Sequence, residues 1–149
     1  YEHLLKQIPI LYASFSIDGI GKVNDYIRHG SNYTNVLENL KKWADFKISR
    51  GIKSITTVVQ AYNFHDLKNI KQLAKEHKML WTAQLIENPS EFQINALPPD
   101  YVESVKDEVN EKFLSNYKFD PMLYKKLKAK TKQQDMILNK INTLSGVFT

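Results

Sequence analysis

Three short apolar stretches separated by helix-length segments constrain this chain more than any other feature. "YASFSI" (Tyr12 to Ile17), "SITTVVQAY" (Ser54 to Tyr62) and "LWTAQLI" (Leu80 to Ile86) are bulky and too short for buried helices. Between the first two lies "YTNVLENLKKWADFKISRG", where Val36, Leu37, Leu40, Trp43 and Ala44 recur at helical spacing. Ser31 or Asn32 offers an N-cap to that helix, and Gly51 marks its end. Between the second and third lies "NFHDLKNIKQLAKEHKM", with Leu67, Ile70, Leu73 and Ala74 on one face. Asn63 reads as its cap, and Asp66 is placed to favour the helix dipole. A crossover helix returns the chain to the end from which the previous strand started, so strands joined this way run parallel. The order β-α-β-α-β therefore predicts an α/β fold with a parallel sheet.

Beyond the third strand, "EFQIN" (Glu91 to Asn95) reads as a fourth short extended piece after the Asn88-Pro89 turn. Pro98, Pro99 and Asp100 open a helix that places Val102, Val105, Val109 and Phe113 inward. Asp120-Pro121 caps a last long helix carrying Met122, Leu123, Leu127, Ile137 and Ile141. Residues 1–97 thus read as the alternating part and residues 98–149 as a helical extension. The opening "YEHLLKQI" reads as the end of an amphipathic helix and does not begin with methionine, so a fragment of a longer chain is expected.

With 149 residues the chain is long enough for one domain with a substantial core. It contains no cysteine, which excludes disulfides, thiolate zinc sites and any iron–sulfur cluster held by this chain itself. A cysteine-free composition goes with a cytoplasmic protein. No apolar run approaches the ~20 residues of a membrane helix, so no membrane partner is expected. The net charge of +5 is concentrated in "YKKLKAKTKQQ" (Tyr124 to Gln134). A solvated helix face is the simpler reading of that run, and a basic module for nucleic acid or another acidic partner is the rival.

Ligands of parallel α/β sheets sit at the carboxyl ends of the strands, on the loops that lead into helices. The stretch "SFSIDGIG" places Ser16 and Asp18 at such an end, alternating and so pointing the same way, with Ile17 between them facing the other side. Gly19 and Gly21 let the backbone turn tightly beside them. From pattern alone, an Asp-Gly turn whose polar residues only terminate the strand is the simpler reading. Arg28 taken alone is a surface arginine, and Asn63 a helix cap. His3, His29, His65 and His77 share no metal-binding spacing, Gly19-Ile20-Gly21 lacks the lysine of a phosphate loop, and no G-x-S-x-G is present.

Taken in order, "FSIDGIGKVNDYIRHGSNYTNVLENLKKW" and "ITTVVQAYNFHDLKNIKQLAKEH" resemble the middle of radical S-adenosylmethionine (radical SAM) proteins, in particular those with a SPASM or twitch extension. The matching positions are Ser16, Asp18, Gly19, Asp25, Arg28 and Asn63, and "LIENPSEFQINALPPDY" is similar to the segment after the sixth barrel strand. The resemblance implies a partial (β/α)6 barrel of TIM-like type, with strands four to six in residues 1–97 and an incomplete twitch-like region in 98–149. It implies that Ser16, Asp18, Gly19, Arg28 and Asn63 bind the cofactor, with Ser16 and Asp18 facing the ribose and methionyl part and Arg28 the carboxylate. Substitution of Asp18 or Arg28 by alanine is then expected to weaken binding while folding stays nearly intact. The implied chemistry is reductive cleavage of S-adenosylmethionine at a [4Fe-4S] cluster, giving a 5′-deoxyadenosyl radical that abstracts a substrate hydrogen. An electron donor is implied; the substrate is not identified, peptide and nucleic acid being the candidates. The family's C-x3-C-x2-C loop and glycine-glycine-glutamate segment precede the matched region and do not occur in this sequence, so the chain alone is expected to be inactive.

Anaerobic reconstitution of this chain with iron and sulfide is predicted to leave no cluster absorbance after desalting, because no thiolate is available. Stoichiometric iron and sulfide on the protein would contradict this.

Overall fold

A β-α-β-α-β order requires parallel pairing, and the computed structural model has it. The backbone is described for residues 2–5, 7–108 and 111–145, and side chains for residues 3–5, 7–107 and 111–135. The strands β1 (Leu11–Ser16), β2 (Gly51–Val59) and β3 (Leu80–Leu85) lie in the order β1-β2-β3. Both pairings are parallel, with Ser16 opposite Thr56 and Val59 opposite Leu85. A short helix, α1 (Glu2–Leu5), precedes β1. The β1–β2 connection carries α2 (Lys22–Ile27) and α3 (Tyr33–Asp45); the β2–β3 connection carries α4 (Leu67–Glu76).

Both connections pack on one face of the sheet. On that face Phe15 meets Trp43 of α3 at a ring separation of 5.7 Å, and Trp43 meets Phe46 at 5.6 Å. Ile55 and Val59 of β2 are fully buried with Leu67, Ile70 and Ala74 of α4 and Leu40 of α3. Burying such aliphatic side chains is worth roughly 1.5–3 kcal/mol each, which makes this cluster the main source of stability. The opposite face is left open. Tyr12 is 71% exposed there, and Ser14, Ser16, Ile52, Leu80, Thr82 and Gln84 are exposed beside it. A row of hydroxyls crosses this open face, Ser14 Oγ to Thr56 Oγ1 at 2.7 Å and Thr56 Oγ1 to Thr82 Oγ1 at 3.1 Å.

The helix caps follow side-chain chemistry. Asn32 caps α3 by accepting the Asn35 N–H at 3.1 Å. At its other end Lys53 of β2 donates to the carbonyls of Ala44 (2.7 Å) and Phe46 (2.6 Å), satisfying groups the helix itself leaves open. The helix therefore ends at Asp45, and Gly51 is not its stop. Gly51 instead opens β2 with φ 138°, and a Cβ there would sit 1.8 Å from the carbonyl oxygen of Leu11.

Two further expectations are corrected. Residues Glu91 to Asn95 form no strand; they fall in two 3-10 turns, Ser90–Phe92 and Ile94–Ala96. Their N–H groups bond locally, Phe92 to Pro89 (3.1 Å) and Gln93 to Ser90 (3.1 Å), while the Phe92 carbonyl accepts from Ala61 at 2.7 Å. A continuous helix after Pro98 is replaced by α5 (Pro99–Val105), a 3-10 turn (Lys106–Glu108) and α6 (Glu111–Leu114). Val102 and Phe113 are buried as expected, but on different helices; Val109 lies outside the described residues. The long helix α7 (Pro121–Ser145) is capped by Asp120, whose Oδ1 accepts from Met122 (2.8 Å) and Leu123 (3.2 Å). Leu123 and Leu127 face the core and Met122 faces solvent; the side chains of Ile137 and Ile141 lie outside the described residues. No helix of the described residues is long and apolar enough to cross a membrane.

Gly51→Ala is predicted to be costly, because the added methyl forces β1 and β2 apart at their first pair. A loss of roughly 3 kcal/mol, or about 10 °C in Tm, is expected in thermal denaturation. A Tm within a degree or two of the parent would refute this account of Gly51.

Candidate functional site

The carboxyl ends of the three parallel strands point the same way, so the residues that follow them converge. Asp18, two residues beyond β1, is the hub. Its Oδ1 accepts the Val58 N–H at 2.9 Å, and its Oδ2 accepts Nε and Nη2 of Arg28, both at 2.9 Å. Its own N–H donates to Asn24 Oδ1 at 3.3 Å. Both of its oxygens are thus engaged within the protein, and the side chain is only 7% exposed. It holds Arg28, whose side chain is 38% exposed, across the end of the sheet.

Asn63 reaches the same strand end from the other side. It does not cap a helix with its side chain. Its Oδ1 accepts from Gln60 N at 2.8 Å and its Nδ2 donates to the Val58 carbonyl at 2.8 Å. Val58 thus gives its N–H to Asp18 and its C=O to Asn63, so two residues singled out in the sequence meet on one residue of β2. Ser16, the last residue of β1, lies exposed on the open face at this end and makes no hydrogen bond through its side chain among the described residues. Ile17 is buried and turned away, its carbonyl accepting from Thr57 Oγ1 at 2.9 Å. The structure therefore brings Ser16, Asp18, Asn63 and Arg28 to one end of the sheet.

The loop between β1 and α2 is gripped by Asn24, which drew no attention in the sequence, and by Asp66, which read there only as a helix-start carboxylate. Asp66 accepts the Ile20 N–H at 2.5 Å and Asn69 Nδ2 at 2.8 Å, so it anchors the loop as well as sitting at a helix start. Buried Asn24 joins Asp18 to Ser31, donating to Ser31 Oγ at 3.2 Å. Gly19 is required by packing, since a Cβ there would lie 2.5 Å from Val23 Cγ1 and 2.8 Å from Asn24 N. Asp25, part of the sequence pattern, buries an Oδ1 that has no hydrogen-bond partner among the described residues.

An aromatic wall closes one side. Tyr26 and Tyr62 meet edge-on at 5.3 Å, and Tyr62 stacks obliquely on Phe92 at 5.3 Å. Helix α7 docks here through Thr131 with the Tyr62 hydroxyl (2.8 Å), and through Gln134 Nε2 donating to the Tyr26 carbonyl (3.1 Å). The Tyr26 hydroxyl donates to Asp135 at 3.2 Å. Burial first, then neighbouring Tyr62 and Asp135, push this hydroxyl far above the usual tyrosine range, so it remains a neutral donor. On the other side, beyond β3, a cleft of about 960 Å³ is lined by Val58, Gln84, Glu87, Asn88, Phe113 and Asn116, among others. His65 pairs with the Tyr101 hydroxyl at 3.0 Å, and no group of His, Asp or Glu among the described residues converges as a metal site.

This geometry argues against the expectation that Asp18 can be removed with folding nearly intact. Asp18→Ala strands the half-buried Val58 N–H and unpairs Arg28, and Asn63→Ala strands the Gln60 N–H and Val58 carbonyl. Each is predicted to cost roughly 2–4 kcal/mol in urea denaturation. Asp18→Asn, which keeps an acceptor for Val58, costs less. Alanine variants as stable as the parent would show that these contacts do not hold the strand ends.

Comparison with known proteins found no matching family model, no matching curated protein and no matching solved structure.

Proposed function

We propose that this chain is the carboxyl-side part of a radical SAM barrel, forming strands four to six and the segment that follows. The observation that carries the reading is the gathering of Ser16, Asp18, Arg28 and Asn63 at the carboxyl end of a parallel sheet covered on one side. Sequential parallel strands with both crossovers on one face are what a barrel wall has, as one half of a doubly wound sheet also does, and the uncovered opposite face favours the barrel. The open face, with its Ser14, Thr56 and Thr82 hydroxyls, is then the barrel interior. The pattern Ser16, Asp18, Gly19, Arg28, Asn63 supports the same reading, since its members lie together at the carboxyl end where such barrels bind ligands.

The residues present fit the organic cofactor but not the cluster. Arg28, held rigid by Asp18, offers the rest of its guanidinium to a carboxylate, for which its planar fork is suited. Ser16 offers a hydroxyl on the interior face, and Asp18, Gly19 and Asn63 position the loop that carries both. With no cysteine, the chain supplies no ligand to a [4Fe-4S] cluster, which belongs to another part of the barrel. When bound, S-adenosylmethionine with a reduced cluster supplies hydrogen-atom abstraction from a substrate. This chain's part is to bind and orient the methionyl end. A cytoplasmic location and an electron donor go with this reading.

The coding sequence upstream tests the class directly. Three β/α units of about 30 residues each place a C-x3-C-x2-C roughly 100 residues before Ser16. In the chain carrying that motif, Arg28→Ala is predicted to weaken S-adenosylmethionine binding roughly 10- to 100-fold, the value of a charge-assisted hydrogen bond. An upstream sequence without the cysteines, or unchanged binding in the variant, would sink the proposal.

A further inference from the structure

A run of lysines lies on the solvent side of α7, opposite the face that docks on the aromatic wall. The chain's net charge is +5, and five lysines, Lys125, Lys126, Lys128, Lys130 and Lys132, stand within two turns of that helix. The excess charge of the whole chain therefore equals what this one surface carries. All five are exposed, and none of the five is in an ion pair among the described residues. No acidic residue interrupts Met122 to Gln134. A surface helix that only needed solvation would alternate the signs of its charges along the exposed face, gaining pairs at i, i+4. This one does not.

The inner face of α7 is already engaged. Leu123 and Leu127 pack on the core, Thr131 bonds Tyr62, and Gln134 bonds the Tyr26 carbonyl. The helix is thus fixed, with its lysines displayed in a constant arrangement, and Lys128 lies 5.5 Å from the Tyr124 ring centre. Lys125, Lys128 and Lys132 follow one line at i, i+3, i+7, spanning about 10 Å of helix axis. That length covers about three axial steps of ~3.4 Å in a duplex, so the three ammonium groups reach neighbouring phosphates. An anionic membrane fits less well, because an amphipathic helix binds a bilayer with its apolar face, and here that face is buried in the protein.

We propose that the exposed lysine face of α7 binds the phosphate backbone of a nucleic acid, without reading its sequence. Lysine ammonium groups act as point charges on phosphates and carry no base specificity. This assignment is independent of the barrel reading, since it uses none of the residues at the strand ends.

The test is fluorescence anisotropy of a labelled short RNA or DNA duplex with the whole chain, titrated between about 50 and 200 mM salt. The variant Lys125→Gln/Lys128→Gln/Lys132→Gln is compared with Lys68→Gln/Lys71→Gln/Lys75→Gln, which removes the same charge from the exposed face of α4. The α7 variant is expected to lose at least tenfold in affinity and to reduce the slope of log K against log salt by about 3. The α4 variant is expected to bind within twofold of the parent. Circular dichroism confirms that both remain folded. Equal losses in the two variants would reduce the effect to net charge and overturn the proposal. So would absence of duplex binding, or binding to phosphatidylserine vesicles in its place.

Discussion

The buried carboxylate of Asp18 ties the first strand to the second and the second helix to both. One oxygen completes the hydrogen bonding of Val58 after β1 has run out of ladder partners, and the other fixes Arg28. A parallel sheet needs such a device at its carboxyl end, because the N–H and C=O groups beyond the last ladder rung must be satisfied where the chain turns into a helix. Asn63 performs the same task on β2 with its amide, which donates and accepts at once. The Asp18–Arg28 pair is partly exposed, so its Coulombic part is modest; its value lies in orientation.

The two faces of the sheet have different chemistry, and the division follows from strand alternation. Phe15, Ile55, Val59 and Trp81 point to the helices, while Tyr12, Ser14, Thr56 and Thr82 point away. Trp81 lies at the border, donating its indole N–H to Thr57 Oγ1 at 3.1 Å so that its polar edge is satisfied under the helices. The open face is polar at its centre and apolar toward the start of the strands, where Tyr12, Ile52 and Leu80 are exposed. Such a surface is suited to lining a wet interior more than to packing a dry core.

The strands, their direction and their helices were legible because bulk, length and helical spacing all favour the same elements. The gathering of Ser16, Asp18, Arg28 and Asn63 was legible too, as a consequence of parallel direction. What each residue does there was not. Asn63 precedes a helix and so reads as a cap, but its partners, Gln60 N and Val58 O, become available only once β2 stops and the chain turns. Asn24 gave no signal, and Asp66 read only as a helix-dipole partner, since its bond to Ile20 spans 46 residues. Glu91 to Asn95 misled because a short apolar run is ambiguous in period, and Pro89 with local i to i−3 bonds settles it as turns. The helix after Pro98 broke because its apolar spacing continues through a stretch that the backbone divides into separate short helices.

The Tyr26–Asp135 bond joins residues 109 positions apart, and Tyr62–Thr131 spans 69. Contacts of such separation carry the full entropy of closing a long loop before they return any energy. The sheet and its two crossovers can form from neighbouring segments as the chain emerges. The aromatic wall beside the strand ends acquires its last partners only when α7 has been made and has docked. Assembly of this rim is therefore a late event in folding, and the order of synthesis places it after the strand ends are already set.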